Sequence, residues 1–211
     1  MATRNVKDDP APGGIAERKR EAVRAHLAEA ALQLLTDRDF DSVTVDEIAA
    51  AAGISRRTFF RYFSSKEEVI LGFLERMGDR LREKIISRAP EEAPLAAVHA
   101  AIRPQIAEYA ADADRALALV RLLQMSPSLR ARELESRQRL REKVAEAIGC
   151  RLGLDHRVDM RPRLLAGIAL VPFDVAITMW LDGRSGEDVH AILDEAIASL
   201  NRELRGEAII A

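Results

Sequence analysis

The sequence predicts an all-α protein of about nine helices, with a small helical head at the N-terminus and a larger helical domain after it. Hydrophobic residues make up 48% of the 211 residues, and many of them are alanine or leucine, which favour helix. The chain contains only 8 prolines and few runs of β-branched residues. Apolar residues recur at spacings of three and four over most of its length, as amphipathic helices require.

The head begins with a tail, residues 1–14, which we predict to be disordered because prolines and glycines alternate with charges and no periodicity is present. The first helix then runs to about Thr36 with one apolar face. A small three-helix core against that face is predicted to be closed by Phe40, Val43, Val45 and Ile48.

Two short helices joined by a glycine turn are predicted next. Thr44 and Glu47 have the spacing of a capping box, so the first of the two helices starts at about Val45 and ends before Gly53. Ser55 is the predicted N-cap of the second. Two helices joined in this way form the helix-turn-helix unit.

The second of these helices is basic and aromatic and has no acidic residue. Its leading turn carries Arg56, Arg57 and Thr58, the place from which a recognition helix reaches base edges in the major groove of DNA. Arginine can donate two hydrogen bonds to guanine, and threonine offers a methyl group to thymine. The alternative is a solvated basic helix with an aromatic core face. Contacts to the phosphate backbone, which fix register, are predicted for Arg61, Tyr62 and Lys66.

The overall charge limits the kind of DNA binder that this chain can be. The net charge is -2 and the pI is about 6.1, so basicity is local, as in a specific DNA reader. An architectural DNA binder without a ligand would carry a more basic surface and would not need a large second domain. Four cations open the first helix and either touch DNA, at a phosphate or in the minor groove, or form a solvated turn: Arg18, Lys19, Arg20 and Arg24.

Residues 44–70, TVDEIAAAAGISRRTFFRYFSSKEEVI, resemble the DNA-binding signature of the TetR family of bacterial repressors. The resemblance implies that Thr44 meets a phosphate and that Phe59 and Phe63 pack inward. Phe60 stands where the family often has tyrosine, so the possible phosphate bond is lost and an apolar contact remains. Base contacts are implied for Arg56, Arg57 and Thr58, and contacts to the sugar-phosphate backbone or to thymine methyl groups for Phe60, Arg61, Tyr62 and Lys66.

The chain after the head reads as one long helix followed by a second domain. Serines at 64 and 65 begin the helix, and Pro90 and Pro94 mark its end. The resulting divisions are a helix-turn-helix domain at 15–64, a connecting helix at 65–90 and a ligand-binding and dimerisation domain at 91–206. The second domain is predicted to hold five helices, the last two at about 160–182 and 189–204.

Residues 164–181 are the one candidate for a membrane span, but Pro172 and Asp174 lie at the centre of this apolar run. We predict a buried helix instead. The single cysteine, Cys150, fits a reducing compartment, and the N-terminus has no apolar signal core. We therefore expect a cytoplasmic protein.

The family resemblance implies a homodimer formed through the last two predicted helices. Their apolar surface also exceeds what one small domain needs, although core packing alone is the alternative. A two-fold dimer would place its recognition helices about 34 Å apart, so the operator would be a palindrome.

The effector is indicated by a second resemblance. RALALVRLLQMSPSLRAR and RPRLLAGIAL are similar to the C-terminal domain of a TetR subgroup with mycofactocin-associated regulators, some of which bind acyl-CoA. This implies an acyl tunnel lined by Leu122, Met125, Phe173 and Trp180. A basic residue, Arg103 or Arg121, would then neutralise phosphate. The alternatives are plain core, an ion pair such as Arg121 with Asp174, or a hydrophobic drug-like effector of an efflux regulator.

An enzyme is not predicted, and neither is a cofactor or a metal. The four histidines lie far apart without metal-ligand spacing, Cys150 has no catalytic signature around it, and no glycine loop suits a nucleotide. The histidines considered were His26, His99, His156 and His190. The sequence thus favours a ligand-responsive DNA-binding regulator.

Overall fold

The computed structural model describes residues 15–35, 38, 40–111, 114, 116, 118, 122–123, 126–184 and 188–206. Within these ranges it contains eight α-helices and no strand, which confirms the predicted all-α class. The predicted tail at 1–14 and most of a predicted helix at 116–125 lie outside them. The helices are α1 Ile15–Leu34, α2 Val45–Ala51, α3 Arg56–Tyr62, α4 Lys66–Ser87, α5 Pro94–Ala110, α6 Pro127–Leu152, α7 Met160–Met179 and α8 Val189–Leu204.

The chain divides into two compact units between Ile70 and Leu71. This boundary falls inside α4, so one continuous helix belongs to both units. A 3-10 turn at Phe40–Ser42 precedes α2 in the first unit, and a π-helical turn at Trp180–Arg184 follows α7 in the second.

The first unit is built around the packing of α1 on α2 and of α2 on α3. Phe40, Val43 and Ile48 are buried, as predicted, whereas Val45 is half-buried. Phe59 and Phe63 of the α3 region are also buried, with ring centroids 5.8 Å apart, which confirms that they pack inward. The helix α3 is therefore fixed to its unit by an aromatic face and leaves its other face to solvent.

The second unit is organised around α7, which packs against α5, α6 and α8. This helix and the turn after it, Met160–Gly183, are apolar and long enough to cross a membrane by length and composition alone. Alanines and Phe173 on one side of it are nonetheless buried among the other helices. Asp174 lies in the same helix and accepts a hydrogen bond of 2.6 Å from Arg137 of α6. The predicted buried helix is therefore buried on one side only, and 44% of its most apolar stretch lies inside the unit.

Two helices of the second unit begin with a capping side chain. Ser126 caps α6, and its hydroxyl oxygen accepts from the N–H of Leu129 at 3.3 Å. Asp188 caps α8 and accepts from the N–H of His190 at 3.0 Å. Such caps satisfy N–H groups that the first turn of a helix leaves free.

Arg151 of α6 contacts the end of α4 and the chain that follows it. Its guanidinium donates to four backbone carbonyl oxygens, those of Ile85 at 3.2 Å, Arg88 at 2.9 Å, and Ala89 and Glu92 at 2.7 Å each. The last turn of a helix leaves carbonyls without intrahelical partners. One cation therefore closes the C-terminal end of α4.

Candidate nucleic-acid interface

The turn between α2 and α3 depends on the backbone of Gly53, which has φ +65. The N–H of Gly53 donates to the carbonyl of Ala50 at 3.0 Å, and the N–H of Ile54 donates to Ala49 at 2.9 Å. These two bonds form a Schellman motif, which normally places glycine in the left-handed region. A Cβ at this position would meet nothing within 4 Å, so conformation and not space requires the glycine.

The capping box predicted at the start of α2 is confirmed. The N–H and hydroxyl groups of Thr44 each donate to Glu47 Oε2 at 2.8 Å, and the N–H of Glu47 donates back to Thr44 Oγ1 at 3.3 Å. Arg38, which the sequence did not single out, donates to Glu47 Oε1 at 2.7 Å. The Arg38 hydrogen bond, with those from Thr44, lowers the pKa of Glu47 to about 2. Thr44 is exposed, but its hydroxyl proton is already engaged by Glu47.

Ser55 is the N-cap of α3, as predicted. Its side-chain oxygen accepts from the N–H of Thr58 at 3.2 Å and lies 3.0 Å from the Thr58 hydroxyl oxygen. The two hydroxyl groups therefore bond to each other on the leading turn of α3. The methyl group of Thr58 is then the part of this side chain that can contact a base.

Arg57 is the exposed cation at the second position of α3. Among the described residues its guanidinium has no hydrogen-bond or ion-pair partner. It lines a surface concavity of about 480 Å³ together with Thr58, Phe60 and Arg61. A free guanidinium beside an exposed ring and a second cation is suited to an anionic, planar partner.

Arg56 is less free than Arg57. Its Nη1 donates to Asp46 Oδ2 of α2 at 2.7 Å, and its guanidinium carbon lies 5.3 Å from the centroid of the Phe60 ring. Phe60 is 46% exposed, so the structure places this ring at the surface and not in the core. The sequence did not predict the partnership between Asp46 and Arg56.

Arg61 and Tyr62 follow at the end of α3. The Arg61 guanidinium lies 5.1 Å from the centroid of the Tyr62 ring, and its Nη2 donates weakly to the tyrosine hydroxyl at 3.4 Å. Arg61 is exposed and Tyr62 is half-buried. Both remain accessible for the backbone contacts that the sequence predicts.

Lys66 contacts the turn before α2 in this structure. Its ammonium group donates to the carbonyl oxygens of Phe40 at 2.8 Å, Val43 at 3.0 Å and Asp41 at 3.3 Å. It also lies 4.5 Å from the centroid of the Phe40 ring. A lysine has three N–H donors, and all three are directed at this turn, so a phosphate contact would require Lys66 to give up at least one of these bonds.

Arg24 of α1 is a second cation with a structural role. Its Nη2 donates to the carbonyl of Tyr62 at 2.8 Å, where α3 ends, and its guanidinium lies over the Phe63 ring at 5.2 Å. Glu68 lies 3.7 Å from the same nitrogen. Of the two alternatives that the sequence left open for this arginine, solvation and phosphate contact, the structure supports neither.

The residues predicted to contact the effector differ in burial. Leu122, Phe173 and Trp180 are buried in the second unit. Arg103 is exposed and forms a two-bonded ion pair with Asp194 of α8, so it does not provide a buried partner for a phosphate group. The side chains of Arg121 and Met125 lie outside the described part of the chain.

The histidines and the cysteine form no catalytic or metal-binding arrangement in the described ranges. No group of three or more His, Cys, Asp or Glu residues there could hold a metal ion. Cys150 is exposed, and burial lowers the pKa of His99.

Comparisons with known proteins agree with this arrangement. Residues 27–72 match the family "Bacterial regulatory proteins, tetR family", and residues 92–205 match the MftR C-terminal domain. The HTH-type transcriptional regulator TcmR of Streptomyces glaucescens is 29% identical, over 96% of this chain and 93% of that protein. A Mycobacterium tuberculosis protein named as the mycofactocin biosynthesis regulator MftR is 28% identical, over 88% and 94%.

Among solved structures, Thermus thermophilus FadR, a TetR-family repressor in complex with lauroyl-CoA, superposes with a TM-score of 0.54. The match covers 89% of this chain and 96% of FadR at 23% identity, so it shows the fold. The matched families and relatives are transcriptional regulators and not enzymes.

Proposed function

Because the chain belongs to the TetR family of bacterial regulatory proteins and carries an MftR C-terminal domain, we propose that it is a cytoplasmic, ligand-responsive repressor. It binds a palindromic operator as a homodimer. The observation that carries this proposal is the leading turn of α3. There Arg57 is exposed, lies on a surface concavity with a second cation, and has no partner among the described residues.

In this function α3 enters the major groove and Arg57 reads a guanine. The rigid fork of the guanidinium donates to the O6 and N7 atoms of guanine, which gives both affinity and discrimination. Phe60 and the Thr58 methyl group offer apolar contacts to thymine. Arg61 and Tyr62 hold the phosphate backbone and fix the register of the helix. Thr44, at the start of α2, is proposed to meet a phosphate, for which its hydroxyl proton must turn from Glu47 to the DNA.

A mobility-shift titration on DNA that flanks the protein's own gene tests this role. Arg57→Ala is expected to lower affinity for the bound fragment by about 1 to 3 kcal/mol, and to weaken binding to shuffled DNA by much less, through the loss of one charge. Arg130→Ala removes an exposed arginine of the second unit and serves as the control. Equal weakening on all DNA would show a phosphate contact at Arg57. Absence of any sequence-specific binding by the wild type would refute the proposed function.

The dimer is proposed to form through α7 and α8. Five large apolar side chains of α7 lie 41% to 77% exposed, although the opposite side of the same helix is buried. The exposed residues are Met160, Leu164, Val171, Val175 and Met179, at spacings that repeat along one helical face. Soluble monomers rarely expose an apolar stripe of this length. A second copy of the chain, related by a two-fold axis, would cover it.

Light scattering on a sizing column tests the interface. Val175→Glu places a charge in the stripe and is expected to convert the dimer into a monomer with greatly reduced operator affinity. Leu134→Glu is the matched control, because Leu134 is an apolar residue of α6 that is 62% exposed and lies outside the stripe. A Val175→Glu protein that remained a dimer would exclude this surface.

For the effector we propose an acyl-CoA thioester. The MftR C-terminal match and the likeness to a lauroyl-CoA complex support this class, and buried Leu122, Phe173 and Trp180 supply apolar surface in the second unit. An effector releases DNA only if it binds the DNA-incompetent state more tightly than the competent one. The continuous helix α4, which contains the boundary between the two units, is the proposed element that responds to the effector.

A titration of the protein–DNA complex with acyl-CoA esters of increasing chain length tests the effector. Release by esters of a limited range of lengths, with free CoA inactive, is the expected result. Specific DNA binding that no ester alters would leave the repressor role in place and refute the acyl-CoA proposal. A panel of hydrophobic drug-like compounds would then be the next set to test.

A further inference from the structure

An exposed ion pair joins the first turn of α2 to the first turn of α3. Arg56 Nη1 donates to Asp46 Oδ2 at 2.7 Å, and both side chains are 61% exposed. The same guanidinium lies 5.3 Å from the centroid of the Phe60 ring. Arg56 is therefore held from two sides, by a carboxylate and by a ring, at the start of the helix that we assign to the major groove.

Folding stability does not explain the pair well. Exposed ion pairs contribute little to stability because water and salt screen them. Glu47 already supplies an acidic side chain and a capping box in the same turn of α2. A carboxylate beside Arg56 also repels phosphate and cancels one of the few cations on this surface, which weakens binding to any DNA.

A carboxylate that weakens binding to all DNA can still improve discrimination between DNA sequences. The bond to Asp46 uses one of the five N–H donors of Arg56 and restricts the orientation of the others. An arginine that is already oriented loses less conformational freedom when it meets its base. The second oxygen of Asp46 can accept from the amino group of cytosine, which an arginine cannot do.

We propose that Asp46 is a specificity-determining residue of the DNA interface, an inference that rests on the proposed function. Asp46 holds Arg56 over the Phe60 ring, in the orientation that suits the matching base pairs. On other sequences the Asp46 carboxylate finds no donor on the DNA, which lowers the affinity for those sequences. Specificity of this kind combines an attractive contact with a repulsive one.

Asp46→Asn tests the inference, because asparagine keeps the size of the side chain and removes the charge. Affinity is measured at two salt concentrations on two duplexes. One carries the operator, located by footprinting on the DNA that flanks the protein's own gene, and the other is a shuffled duplex of equal length and composition. We expect tighter binding to the shuffled duplex and a decrease of about tenfold or more in the ratio of the two affinities. Glu29→Gln, which removes one exposed carboxylate from α1, is the control for net charge.

Arg56→Lys is a second test that keeps the charge and removes the planar fork. It is expected to lower the same ratio while the salt dependence of binding stays unchanged, because phosphate contacts are not lost. If Asp46→Asn tightened both duplexes equally, as a change in net charge would, the inference would be overturned. A wild type that did not distinguish the two duplexes would overturn the proposed function as well.

Discussion

Lys66 Nζ donates a hydrogen bond of 2.8 Å to the carbonyl oxygen of Phe40, which lies 26 residues earlier in the chain. The carbonyls of Asp41 and Val43 take up its other two donors. A lysine that sequence reasoning places on the phosphate backbone instead connects the start of α4 to the turn before α2. In this role its contribution is to the stability of the DNA-binding unit.

Lys66→Ala is therefore expected to lower the free energy of unfolding by about 1 to 3 kcal/mol, because part-buried carbonyls lose their partner. Urea denaturation measures this loss. Lys84→Ala, which removes an exposed lysine from the last turn of α4, should have little effect. A Lys66→Ala protein of normal stability whose DNA binding lost about one unit of salt slope would instead show the phosphate contact.

Gly53→Ala is expected to destabilise the protein by about 1 to 2 kcal/mol, since a side chain at φ +65 approaches the following carbonyl. Asparagine tolerates the left-handed region better, so Gly53→Asn should recover part of the loss. Thermal unfolding of the two variants gives the comparison. Equal melting temperatures for glycine, alanine and asparagine would show that this backbone conformation does not contribute to stability.

The ion pair between Arg38 and Glu47 predicts that the stability of the protein depends on pH. The hydrogen bonds from Arg38 and Thr44 lower the pKa of Glu47 from 4.5 to about 2 in the folded protein. A carboxyl whose pKa falls on folding stabilises the folded state above pH 4.5, and this contribution is lost as the pH falls towards 2.

Denaturant midpoints measured through this pH range should therefore decrease less steeply in Glu47→Gln than in the wild type. Glu29→Gln should follow the wild type, because that residue takes no part in the ion pair with Arg38. Identical slopes for wild type and Glu47→Gln would contradict the assigned pKa.

Arg151→Ala should be among the more damaging substitutions in the second unit. It removes the donors of four carbonyl oxygens around the end of α4, and leaving even one of these acceptors unpaired costs about 1 to 3 kcal/mol. Arg151→Lys keeps the charge but not the fork, and we expect it to restore only part of the stability. Full recovery by lysine in urea denaturation would show that charge alone matters at this position.

Much of the local structure follows from the sequence. The capping box at Thr44, the N-caps at Ser55 and Ser126, and the glycine turn depend on residues within four or five positions of each other. Their spacing is visible in the chain, so it predicts the start and end of the helices. The inward direction of Phe59 and Phe63 follows in the same way from helical periodicity.

The pairing of charged side chains depends on the tertiary structure. Asp46 and Arg56 are 10 residues apart, and Arg103 and Asp194 are 91 apart. An exposed cation in a sequence has many possible acceptors, and long flexible side chains reach whichever one the fold brings near. For this reason the sequence predicts α3 as the DNA-reading helix but does not predict the partners of its cations. Only the fold shows that Arg57 has no partner among the described residues, that Arg56 is held by Asp46, and that Lys66 donates to the turn before α2.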